Sequence, residues 1–206
     1  MNSIWIECLR EAWAAYGEGS VPVGALWVDA SGQIVVRGRN RIHEETAPPP
    51  YLAHTRIAHA EINVLVQVPP DHYEAMREGT LYTSLEPCPL CMGAIVMSGV
   101  REVRFGARDR EAGSTMLLDT IPYMKRKNIR SLGPTAVVES VSLTLMTAHL
   151  FRINGRRLND FLISFRQDDP CAVDLGTEWF HTGYLDQAAR RGQPVEAVIN
   201  AVLGRL

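Results

Sequence analysis

The sequence has no strong excess of one charge, too few cysteines for a disulfide framework and no obvious membrane span. Its 21 basic and 23 acidic residues leave a formal net charge of −2 and a pI near 6.3. That balance gives no global footprint for a polyanion, although a local basic patch would vanish in such a sum. Four cysteines in 206 residues are too scattered to staple a fold, whereas the Cys88-x-x-Cys91 pair suggests a metal or redox role. Cys8 and Cys171 are expected to be plain packing residues, since a free cysteine behaves as a small buried hydrophobe. No apolar run approaches the roughly 20 residues of a membrane helix. The start Met1-Asn2-Ser3-Ile4-Trp5 lacks the basic and apolar stretches of a secretory signal, so a cytoplasmic location with no membrane partner is expected. Internal repeats and low-complexity tracts are absent too. What remains is ordinary: 46% apolar and 21% charged residues can bury a real core, and the length suits one domain with a short appendage.

Ile4, Cys8, Leu9, Ala12 and Ala15 recur at helical spacing before Gly17 and Gly19, which predicts an amphipathic helix over 2–16. Val21 to Asp29 and Gln33 to Arg37 read as a hairpin across a glycine-containing turn. Arg41 to Ala58 is a long loop, because Pro48-Pro49-Pro50 excludes a regular element. Helix follows over Ala58 to Val68, strand over Thr80 to Ser84, a proline-started helix over Pro89 to Ser98, and strand over Val100 to Phe105. Ala136 to Leu145 is read as a further strand, and Phe151 to Phe165 and Tyr184 to Leu203 as helices. Strands alternating with helices imply parallel pairing and a sheet covered on both faces. The expected fold is α/β: a three-layer α/β/α sandwich with a mixed central sheet of about five strands and a C-terminal helical extension.

Chemistry concentrates in Ala58-His59-Ala60-Glu61 and Glu86-Pro87-Cys88-Pro89-Leu90-Cys91. Together these supply one imidazole and two thiols, a three-ligand zinc set that leaves a fourth position for water. Cys88 and Cys91, three apart at a helix start, face one side near the positive end of the helix dipole, which favours the metal-binding thiolate. A bound zinc ion lowers the pKa of its water toward neutrality, and Glu61 is placed to reach that water without ligating the metal. Two blander readings stand beside this one. His54 and His59 form a His-x4-His pair that would close a structural site, and an acidic residue in a first turn often serves only its helix dipole. His43, His72, His149 and His181 lack partner spacing and are read as surface or hydrogen-bonded structural residues.

A His-x-Glu followed by Pro-Cys-x-x-Cys is the signature of zinc nucleobase deaminases, with the glutamate as general acid and base. From about residue 4 to residue 145 the chain resembles the cytidine deaminase-like superfamily, and within it the tRNA adenosine deaminase and guanine deaminase branch. Beyond the two zinc motifs, the resemblance includes Glu18-Gly19-Ser20-Val21-Pro22-Val23-Gly24-Ala25, Gly38-Arg39-Asn40-Arg41 and Phe105-Gly106-Ala107-Arg108-Asp109. It implies a deaminase domain over 1–150 with a helical extension, 151–206, packed on it. It also implies one Zn2+ per chain on His59, Cys88 and Cys91, proton transfer by Glu61, base contact by Asn40, and a substrate hydrogen bond from the backbone of Ala60. Val23 is a candidate pocket wall.

The chain departs from the family in two places. Eighteen residues separate Asn40 from His59, more than the resemblance to tRNA enzymes leads one to expect, and the tail with Arg152, Arg156, Arg157 and Arg166 has no counterpart. These departures and the acidic pI favour a free nucleobase or nucleoside as substrate. The expected reaction converts its exocyclic amine to a carbonyl with release of ammonia. The alternative is adenosine-to-inosine conversion in tRNA, with Arg104, Arg108, Arg110, Lys125, Arg126, Lys127 and Arg130 as phosphate contacts. A non-enzymatic zinc-containing binding protein is a second alternative. A homodimer is expected.

Overall fold

A computed structural model describes residues 1–155 and 160–205. In chain order the elements are α1 (Ser3–Gly17), β1 (Gly24–Val28), β2 (Ile34–Arg39), α2 (Ala60–Leu65), a 3-10 turn (Pro70–His72), α3 (Tyr73–Met76), β3 (Thr80–Leu85) and α4 (Pro89–Ser98). Then come β4 (Glu102–Ala107), α5 (Leu117–Thr120), α6 (Pro122–Arg126), β5 (Arg130–Leu132), α7 (Ala136–Asn154), α8 (Asp160–Asp168), α9 (Pro170–Thr182), α10 (Tyr184–Arg190) and α11 (Val195–Leu203). The five strands form one mixed sheet in the order β2-β1-β3-β4-β5. β1 pairs antiparallel with β2 and β3, and β3 with β4 and β4 with β5 pair parallel.

The hairpin turn is held by Asp29, whose carboxylate accepts hydrogen bonds from the backbone N–H groups of Ser31 and Gln33, each at 2.9 Å. β2 alternates exposed and covered residues as an edge strand does, while β1 is buried throughout. Ala25 and Trp27 belong to the core that includes Val64 of α2 and Met92, Ile95 and Val96 of α4. Leu26 and Val28 point the other way, into a second core with Trp5, Leu9 and Trp13 of α1 and with Val138, Val141 and Leu145 of α7. The two cores on opposite faces make the expected three-layer sandwich.

Three expectations about the C-terminal half need correction. Ala136 to Leu145 is the first half of α7 rather than a strand. Its Val, Leu and Thr content suggested a strand, but the helix lies between the sheet and α9 and is buried on nearly every side, so it carries no polar stripe to reveal its period. Its 19 residues are by length and composition apolar enough to cross a membrane, yet 72% of the relevant window is buried inside the fold, as in a core helix. The fifth strand is Arg130–Leu132, too short and too mixed for period-2 reading. The helix expected over Phe151 to Phe165 falls partly outside the described residues, as do Arg156 and Arg157. Within the described residues it is divided between the end of α7 and α8, and the one expected over Tyr184 to Leu203 is divided into α10 and α11.

α1 lies directly on the sheet at Gly24, where an added Cβ would stand 2.2 Å from the Cys8 carbonyl oxygen and 2.6 Å from the Ala12 nitrogen. Both obstacles are backbone, so the helix itself would have to move. Gly24→Ala is therefore expected to lower stability by about 1–3 kcal/mol, read as a fall in the thermal or denaturant midpoint; an unchanged midpoint would contradict this packing.

Candidate active site

The site is built at two helix starts brought together beyond the C-terminal end of β3. His59 is the N-cap of α2, and Cys88 is the N-cap of α4, with Cys91 one turn further in. Pro89 occupies the first turn of α4, where its fixed φ suits the helix and its missing N–H costs no hydrogen bond. α2 is pressed onto β2 at Gly38, where a Cβ would lie 2.7 Å from the Ala60 carbonyl oxygen.

His59 Nδ1 lies 3.5 Å from Cys88 Sγ and 3.4 Å from Cys91 Sγ, and the three ligand atoms are all within 4.8 Å of one another. Tetrahedral zinc, with Zn–S near 2.3 Å and Zn–N near 2.0–2.1 Å, sets the nitrogen and each sulfur about 3.5 Å apart. Both nitrogen–sulfur separations match that geometry, so the set fits zinc. Among the described residues no fourth His, Cys, Asp or Glu joins it. His54 turns outward instead, with its side chain 67% exposed and Glu45 3.9 Å away, so the closed His-x4-His staple is not formed.

The two thiols are not equivalent. A hydrogen bond from Cys91 and another from His59 lower the Cys88 thiol to about 4, whereas the bond to Cys88 and burial push Cys91 up. The pair shares one negative charge, and a cation between the sulfurs is what lets both be thiolates. Glu61 is buried beside them. One carboxylate oxygen accepts from Thr83 Oγ1 at 3.1 Å and the other from Cys91 Sγ at 3.3 Å. Burial raises the pKa of this carboxyl, bringing it nearer the range in which a group both takes and returns a proton.

These groups open onto a cavity of about 230 Å³. His59, Glu61 and Cys88 line it together with Val21, Val23, Asn40 and Ile42, and with Glu86, Asp109 and Ala112. Asn40 is buried; its backbone N–H donates to Val23 O at 2.9 Å and its side-chain oxygen accepts from Ile42 N at 3.1 Å. The amide NH2 is thus the part of Asn40 left for a ligand. Ala60 is buried and does not itself line the cavity. Its N–H belongs to the first turn of α2, where the helix offers no acceptor.

Sequence reasoning missed the rest of the lining. α7 contributes Met146, His149, Leu150 and Ile153, and α8 contributes Phe161. The spacing 146, 149, 150, 153 is one helical face, a signal hidden by the strand reading of the preceding residues. His149 is neither a surface residue nor a hydrogen-bonded one: it is fully buried and neither ring nitrogen has a partner. Burial first, then Arg152 and His43, lower its pKa to about 4. Cys8 is a buried packing residue as expected, whereas Cys171 is exposed.

Three candidate ligands beside a buried carboxylate are the donor set of an open, catalytic type of zinc site rather than of a closed structural one. The chain belongs to the family described as the cytidine and deoxycytidylate deaminase zinc-binding region, whose profile matches residues 3–107. It is 36% identical over 152 residues to the tRNA-specific adenosine deaminase of Bacillus subtilis (strain 168), covering 73% of this chain and 89% of that protein. A solved structure from work on A-to-I editing by tRNA:A34 deaminases at the wobble position of transfer RNA superposes with a TM-score of 0.56 at 28% identity, over 69% of this chain and 97% of that one. The guanine deaminase of Nitrosomonas europaea shares the fold, with a TM-score of 0.51 at 22% identity over 71% and 82% of the two chains.

Metal analysis of the purified protein should find close to one zinc per chain, sharply reduced in Cys88→Ala and retained in His54→Ala. Zinc lost from the His54 variant would restore the closed site.

Proposed function

We propose that this chain is a hydrolytic deaminase that replaces the exocyclic amine of an aminated base by a carbonyl and releases ammonia. The observation that carries the reading is the buried carboxylate of Glu61, held by Thr83 and Cys91 beside a three-ligand zinc set and lining the same cavity. Zinc, when bound, supplies the Lewis acidity that makes water a nucleophile near neutral pH. Glu61 would take one proton from the attacking water as its oxygen bonds to the ring carbon and deliver it to the adjacent ring nitrogen; it would then take the proton of the new C–OH group as the carbonyl forms and pass it to the departing amine as the C–N bond breaks. The Asn40 amide orients the ring, and the N–H of Ala60 is a further donor toward it. The apolar residues of the cavity exclude competing water.

For the substrate, the relatives favour adenosine in tRNA over the free nucleobase or nucleoside that the long loop, the unmatched tail and the acidic pI had favoured. Lys125, Arg126 and Lys127 support this reading. Of the seven cations that the sequence offered as phosphate contacts, Arg104 and Arg130 pair with Glu102, Arg108 with Glu86 and Arg110 with Asp168. The three at the end of α6 have no carboxylate partner among the described ion pairs and remain available to a phosphate backbone. A second reading, a free nucleobase or nucleoside, is favoured by one specific observation: α7 and α8 add an apolar wall of Met146, Leu150, Ile153 and Phe161 to the cavity.

Glu61→Gln should retain zinc and lose turnover by about 10²–10⁴-fold; activity within a few-fold of the parent would assign the proton to another group. The substrate is decided by following ammonia from adenine, guanine, cytosine, their ribonucleosides and an adenosine-containing tRNA anticodon stem-loop. The tRNA reading expects turnover of the stem-loop that falls steeply with salt and drops when Lys125, Arg126 and Lys127 are neutralised together. Turnover of a free base or nucleoside with little salt dependence selects the second reading. Stoichiometric zinc with no ammonia from any of them would identify a binding protein.

A further inference from the structure

α7 presents one face to the cavity, and that face is apolar except at His149. Met146, Leu150 and Ile153 flank it at helical spacing, and Phe161 of α8 adds a further apolar surface. The imidazole is completely buried, and neither nitrogen finds a partner in the protein. Such a group in a core is normally hydrogen-bonded or replaced by a hydrocarbon. Here it lines the cavity that holds the zinc-ligand set and Glu61, so the partner it lacks is one that the cavity can admit.

We propose that His149 is a substrate-recognition residue, hydrogen-bonding an uncharged ring nitrogen or carbonyl oxygen of the base bound in the cavity. Two observations select an uncharged group over a phosphate. The ring is held neutral by burial and by the nearby Arg152 guanidinium, and a neutral imidazole offers one donor and one acceptor, the pattern of a base edge. Arg152, the cation that could have served an anion here, is already engaged: it donates to the Tyr16 carbonyl at 3.0 Å and pairs with Asp186. The recognition thus comes from a residue that the sequence alone marked only as structural. It applies whether the base arrives free or flipped out of a tRNA loop.

The inference rests on the deaminase reading, and kinetics with the same panel of bases, ribonucleosides and tRNA stem-loop separates the two. His149→Leu removes both polar atoms at similar bulk. It should raise KM by about tenfold or more, as loss of a buried hydrogen bond to a ligand does, with kcat within about threefold of the parent. Zinc content should be unchanged. The thermal midpoint should hold or rise, because an unpartnered buried polar group has been removed. His149→Gln, which keeps a donor and an acceptor, should recover most of the KM. Parental KM in His149→Leu, no recovery in His149→Gln, or a lowered midpoint with lost zinc in both would overturn the recognition role and leave the deaminase reading standing. No turnover by the parent on any member of the panel would overturn the deaminase reading, and this role with it.

Discussion

The site depends on one geometric constraint: an imidazole, two thiols and a carboxylate must converge within a few ångströms without collapsing into one another. Two helix starts lying side by side satisfy it. α2 delivers His59 and Glu61 on successive sides of its first turn, and α4 delivers Cys88 and Cys91 one turn apart. The close approach of α2 to Gly38 sets how deep the first pair sits, and β3 sets the second by running straight into Glu86-Pro87-Cys88. The start of α4 favours the anionic form at Cys88, the thiol whose pKa is lowered.

Around that constraint the structure invests in loops rather than in the sheet. Glu86 accepts from Thr115 and Asp109 and faces Arg108, so the segment after β4 is tied to the start of α4. The long segment after Asn40 is tied to α2 through Asn63, whose side chain bonds Leu52 N at 2.8 Å and the carbonyls of Leu52 and Arg39 at 3.1 and 3.0 Å. Glu44 lies buried between Arg39 and Arg41, and Arg41 stacks over Tyr51 at 4.9 Å. These bonds give an irregular, proline-rich loop a defined shape.

α7 serves both the core and the site. It packs on the sheet and on α9, and Gly176 of α9 allows close contact, since a Cβ there would meet the Thr144 carbonyl oxygen at 2.6 Å. Its last turns line the cavity through Met146, His149, Leu150 and Ile153. Arg110 and Asp168 form a bidentate pair that joins α8 to the loop after β4. In consequence, arginines that in the sequence look free to meet phosphate are committed to holding the protein together.

His59, Glu61, Cys88 and Cys91 were legible in the chain because their spacing is local chemistry: ligands one turn apart, and a glutamate two residues from a histidine; Asn40 was suggested only by the family resemblance. The hairpin, α1, α2, α4, β3 and β4 were legible for the same reason, since periodicity and proline or glycine punctuation act within a few residues. The contribution of Met146, His149, Ile153 and Phe161 to the cavity was decided only in three dimensions. A helix buried on all sides has no amphipathic stripe, so Ala136 to Leu145 read as strand and the face beyond it went unseen. The outward turn of His54 and the pairing of Arg104, Arg110 and Arg130 were likewise settled only by the fold, because burial and charge pairing depend on which distant segments meet.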